Sequence, residues 1–200
     1  MKKGLLSSFS APIGLWKKYW VLYGGFRALF GSLYFFLALM VTAINYFAWS
    51  RPGWWDVVIS TIPTLLGFTL AGLAVFLSMD SGFSKVIAGG GDSKKASPFV
   101  SLVNSFVHFI VVQVLALLYA ISAKSLYVTV DGLPQFFYEA LPVLNKVAGL
   151  VGFLIYIYAI FLLVSATFAI FRSSLWYDNY VDAINGKEED NCKCKCRQAD

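Results

Sequence analysis

Residues 147–171 read VAGLVGFLIYIYAIFLLVSATFAIF, an apolar stretch without Asp, Glu, Lys or Arg. An α-helix rises about 1.5 Å per residue and a hydrocarbon core is about 30 Å thick, so roughly 20 such residues make one crossing. Outward from this stretch, further apolar runs cover residues 28–49, 57–79 and 99–122, and each is long enough to cross. The expected fold is all-α: an integral membrane four-helix bundle in residues 28–171. Residues 1–27 and 172–200 are its tails. Composition agrees, with 58% hydrophobic and only 14% charged residues, where soluble domains average about 25% charged.

The basic residues fix the expected orientation. Lys2, Lys3, Lys17, Lys18 and Arg27 precede the first run; Lys85, Lys94 and Lys95 lie between the second and third; Arg172, Lys187, Lys193, Lys195 and Arg197 follow the fourth. Only Arg51, Lys124 and Lys146 occupy the other two connections. The positive-inside bias then places both termini in the cytoplasm. The net charge of +5 is thus accounted for by span flanks, and no direct nucleic-acid contact is expected. No short apolar segment with a small-residue cleavage site precedes the first run, so that run is expected to stay in the mature protein.

Residues 12–27 carry Trp16, Tyr19, Trp20, Tyr23 and Phe26 at helical spacing beside Lys17 and Lys18. This pattern predicts an amphipathic helix lying in the membrane interface, its rings at headgroup depth and its ammonium groups toward acidic lipid. A continuation of the first span, kinked at Gly24-Gly25, is the alternative. Trp49, Trp54 and Trp55 flank the turn Ser50-Arg51-Pro52-Gly53 and suggest an aromatic belt at the far interface.

On the second span, Gly67, Ala71, Ala74 and Ser78 form a stripe of small residues, and Gly152 and Ala159 lie on a similar seam of the fourth. Hydrophobic drive between helices is weak in lipid, so close backbone approach supplies packing, and small residues permit it. Both stripes are candidate packing surfaces, within the chain or between copies.

The third span carries a polar face. Ser101, Asn104, Ser105 and His108 fall at i, i+3, i+4 and i+7, with Gln113 off that line. Such groups are costly in hydrocarbon and turn toward protein or water. His108 invites two readings: a proton- or ion-sensitive site, or an interhelical hydrogen bond with a packing role.

Enzyme chemistry finds little footing. His108 is the sole histidine, which leaves no ligand set for a catalytic zinc. Asp56 and Asp80 stand at opposite ends of the second span, which argues against a carboxylate pair. Residues 88–95 (AGGGDSKK) lack the register of a phosphate-binding loop. In the tail, Cys192, Cys194 and Cys196 alternate with Lys193 and Lys195. Their thiolates suit zinc or copper(I) if several tails meet; S-acylation and a ligand-free solvated tail are the other readings. No cofactor and no small-molecule substrate are expected. Beyond the third span, residues 127–130 suit a short strand and residues 134–141 a short interfacial helix. Residues 185–200 are expected to lose structure toward their end.

In span count, length and the proline-led run of residues 63–76, PTLLGFTLAGLAVF, the chain resembles small four-helix bacterial membrane proteins. It is similar in architecture to the membrane subunit of the Kiwa anti-phage defence system. That resemblance implies a sensor of phage attack that oligomerises and holds a soluble effector, and it transfers no site residue. The expected function is a non-enzymatic membrane sensor or anchor recruiting a cytoplasmic partner through residues 80–98 and the C-terminal tail. A small oligomeric ion channel or pore is the competing reading.

Overall fold

The computed structural model describes residues 2–79, 81–89, 96–127 and 135–197, and these are helical with short connections. The helices are α1 (Lys2–Tyr23), α2 (Gly25–Phe30), α3 (Leu33–Ile44), α4 (Tyr46–Trp49), α5 (Trp54–Leu77), α6 (Ser81–Gly89), α7 (Pro98–Leu126) and α8 (Gln135–Arg197). Helices α5, α7 and α8 pack against one another, α3 lies on α8, and α1 lies on α7.

Three helices are long and apolar enough to cross a membrane: Trp54–Leu77, Pro98–Leu126 and, within α8, Ala140–Gly186. Their outward faces are hydrophobic. Phe68, Val75, Leu118 and Phe168 are exposed, as lipid rather than water would favour. The chain is all-helical where described and has the helices of a multi-pass membrane protein.

The first expected span, residues 28–49, is not one helix. It breaks at Gly31-Ser32 and again at Asn45. Ser32 is extended (φ −76°, ψ 131°), and the Asn45 side chain donates to the Val41 carbonyl at 2.8 Å, closing α3. The longest piece, α3, has 12 residues and rises about 18 Å, short of a crossing. Apolar composition sets the length of a run, but glycine, serine and asparagine offer the backbone other conformations inside it.

The helix starts follow local chemistry. Gly53 sits at φ 98° in the turn before α5, a conformation that favours glycine. Ser97 caps α7, its hydroxyl accepting from the Val100 amide at 3.3 Å with Pro98 in the first turn. Pro63 lies inside α5, which runs through it.

Two of the three tryptophans expected in an aromatic belt are turned into the protein. Trp54 and Trp55 are buried. A Cβ at Gly152 would run into the Trp54 ring and meet Tyr119 at 2.7 Å; a Cβ at Gly149 would strike the Trp49 carbonyl. Bare backbone at Gly149 and Gly152 is what lets the Trp54 ring and the Trp49 backbone approach α8 this closely. Asp56 and Lys124 pair at 2.8 Å at this same end.

Residues 134–141 do not form a separate helix: from Gln135 the chain is already α8, which passes through Pro142 and continues to Arg197. With 63 residues, α8 rises about 95 Å, some three times the hydrocarbon thickness. The helix runs into the tail as far as Arg197; residues 198–200, where loss of structure is expected, lie outside the described residues. At the end opposite Trp54, Phe83 of α6 is buried against the rings of Tyr177 (5.2 Å) and Tyr180 (5.6 Å) on α8. The strand expected at residues 127–130 falls mostly outside the described residues.

Candidate functional site

His108 is 2% exposed, on the face of α7 turned into the protein. Its neighbours are tyrosines from two other helices. Tyr19 of α1 places its hydroxyl 2.7 Å from Nδ1, and Tyr158 of α8 places its own 3.2 Å from Nε2. Tyr23 of α1 stacks on the imidazole with centroids 3.6 Å apart and planes 15° from parallel. The Tyr23 and Tyr158 hydroxyls are 3.2 Å apart. Phe35 of α3 closes the far side, edge-on to Tyr158 at 5.6 Å.

The positions on α1 are four apart, so Tyr19 and Tyr23 share one helical face. Helix α1 ends just beyond them because Gly24 (φ 97°) and Gly25 (φ 63°) both take positive φ, turning the chain toward α2. Tyr19 is buried. The N-terminal segment therefore docks on the bundle as well as presenting an outer face.

A neutral imidazole has one donor and one acceptor, and the row Tyr19–His108–Tyr158–Tyr23 accommodates it in both tautomers. In one, Tyr19 donates to Nδ1, Nε2–H donates to Tyr158, and Tyr158 donates to Tyr23. In the other every donor reverses. An imidazolium would donate on both sides, and none of its hydrogen-bond or ring partners among the described residues is an acid. The arrangement suits a neutral ring that joins three helices.

The rest of the expected polar face divides. Asn104 is buried with His108; Ser101 is exposed; Ser105 is half-buried and donates to the Ser101 carbonyl of its own helix at 3.0 Å. Gln113, off that face, is fully buried and donates through Nε2 to Thr69 Oγ1 on α5 at 3.0 Å, while Thr69 donates to the Leu65 carbonyl. Its Oε1 has no partner among the described residues. The tyrosines were missed as site residues because tyrosine is ordinary at membrane interfaces. The signal available was the lone intramembrane histidine, which requires partners.

The small-residue stripes also divide. Gly152 and Ala159 are buried in helix contacts. Gly67, Ala71, Ala74 and Ser78 all face outward from this chain, and a Cβ at Gly67 would meet nothing within 4 Å. The side chains of Cys192, Cys194 and Cys196 lie outside the described residues. Among the described residues no group of three or more His, Cys, Asp or Glu converges.

No family model, curated protein or solved structure matches this chain. The function must be argued from its own geometry.

Proposed function

We propose that this protein is a non-enzymatic multi-pass sensor and anchor of the bacterial inner membrane, oligomeric, with both termini in the cytoplasm. In this reading α2, α3 and α4 together make a broken first crossing beside α5, α7 and α8. The observation that carries the proposal is the reach of α8. From residue 172 to Arg197 it continues about 39 Å beyond the expected membrane span, and α6 braces it through Phe83, Tyr177 and Tyr180. A braced helix projecting from a bundle suits holding a soluble partner beside the membrane. The His108 cluster supports the sensing half, because it ties the N-terminal helix to the bundle through a few polar contacts.

The pore reading has less behind it. Asn104 and His108, the polar groups best suited to line a shared axis, are turned into a single chain. An anti-phage role is a further proposal resting on the resemblance alone. The test is a pair of measurements on full-length protein. Co-purification of one cytosolic protein at fixed stoichiometry, lost when residues 172–200 are removed, is expected. Current across a planar bilayer with no such partner would favour the pore instead.

A further inference from the structure

Helix α1 has two working faces. Tyr19 and Tyr23 hold the inner one on His108. Beside and behind that face, Lys17, Lys18, Val21 and Leu22 occupy two adjacent turns and border a shallow, wide-open surface hollow of about 430 Å³. All four are exposed, Val21 by 77%. One turn earlier Gly14 adds no side chain, and a Cβ there would meet nothing within 4 Å. The walls are valine, leucine and the methylene stems of the lysines, and long cationic side chains keep their ammonium groups at the polar edge of such surfaces.

We propose that this face of α1 is a binding site for one anionic phospholipid. The phosphate sits between the Lys17 and Lys18 ammonium groups, and an acyl chain lies along Val21 and Leu22. Charge selects the headgroup: residues 1–27 contain five basic residues and no acid. Free phosphate would meet the cationic rim but leave the apolar trough empty, whereas an amphiphile fills both. Because the inner face is fixed by the His108 cluster, the site is held in one orientation and differs from diffuse attraction to a charged surface. The proposal rests on the membrane reading above. Failure of that reading shows separately, as protein that does not enter a bilayer at all.

The test uses the full chain in nanodiscs of equal phosphatidylglycerol and phosphatidylcholine, with retained lipid counted by native mass spectrometry after release. Wild type is expected to keep phosphatidylglycerol preferentially. Lys17→Gln with Lys18→Gln should reduce that retention about thirtyfold, from about 1 kcal/mol for each of the two basic residues near anionic lipid. Lys17→Arg with Lys18→Arg should restore it, and Lys85→Gln with Lys146→Gln should leave it unchanged. Val21→Ser with Leu22→Ser keeps the charge and should also lose lipid, which covers the case in which the glutamine pair misfolds. Equal retention by the glutamine pair and wild type would overturn the proposal. So would indifference to headgroup, or displacement of the lipid by inorganic phosphate alone.

Discussion

The Tyr19 hydroxyl meets Nδ1 of His108 at 2.7 Å, across 89 positions of sequence. Between them lie α2 to α6, so this one contact fixes where the N-terminal helix sits on the bundle. With Tyr23 stacked on the same ring, α1 is attached at two points one turn apart. Such an attachment resists both sliding and rotation.

Removing it in steps should show how much each group contributes. Tyr19→Phe deletes one hydrogen bond and should cost about 0.6 kcal/mol, the average for such bonds in membranes. His108→Ala strands the Tyr19 hydroxyl, leaves Tyr158 only its Tyr23 partner, and should cost about 1–3 kcal/mol. His108→Gln retains a donor and an acceptor and should recover much of that loss. Unfolding in mixed micelles reads the stability, and hydrogen exchange across residues 15–23 reads the docking of α1. Unchanged exchange in His108→Ala would show that the cluster does not hold the helix.

Glycine substitutions should separate the two stripes. Gly152→Ala forces a Cβ into the Trp54 ring, and overpacking of this kind typically costs about 1–3 kcal/mol. Gly67→Ala meets open space and should be neutral or stabilising by up to about 1 kcal/mol from helix propensity. Melting temperatures of the two variants in the same detergent check the contrast. A loss of stability at Gly67 that appears only at concentrations where copies associate would assign that stripe to a contact between chains.

The pair Thr69 and Gln113 should behave non-additively. Thr69→Val leaves Gln113 Nε2 without its 3.0 Å acceptor in a fully buried position, a loss of about 1–3 kcal/mol. Gln113→Leu removes the buried Oε1 that has no partner among the described residues and should be nearly neutral. The double variant should be close to Gln113→Leu alone, since both polar partners are then gone. A double variant as unstable as the sum of the two would mean the bond contributes nothing.

Hydrophobic length made α5, α7 and the apolar part of α8 legible, because each is an unbroken helix that runs through its interior glycine, serine or proline. The breaks in the first run were not legible for a related reason. Gly31, Ser32 and Asn45 are tolerated inside an apolar run by composition, yet each offers the backbone a local alternative. The Trp54 and Trp55 rings looked interfacial because tryptophan prefers that depth. Both are buried, and for Trp54 the room comes from Gly149 and Gly152, about a hundred residues later. His108 announced a polar site from its residue type alone. Which tyrosines answer it depends on the packing of α1 and α8, a long-range outcome that no local pattern of residues encodes.

The broken first span makes orientation the sharpest remaining test. Three helices are individually long enough to cross, and if only they did so the two termini would lie on opposite sides. If α2, α3 and α4 complete a fourth crossing, the termini share a side. Thirteen of the sixteen Lys and Arg residues then fall in the cytoplasm, as the positive-inside bias requires. The direction of the segment is clear: Phe35 meets Tyr158, while fourteen residues later Trp49 lies against Gly149, so it runs antiparallel along this stretch of α8. Cys192, Cys194 and Cys196 provide reporters at one end. Ser8→Cys, with the tail cysteines changed to serine, provides one at the other. A membrane-impermeant maleimide should label both sets in inverted vesicles and neither in right-side-out vesicles. Labelling of residue 8 from the outside would leave α2 to α4 as a non-crossing segment, and the charge bias would then have failed at the most basic end of the chain.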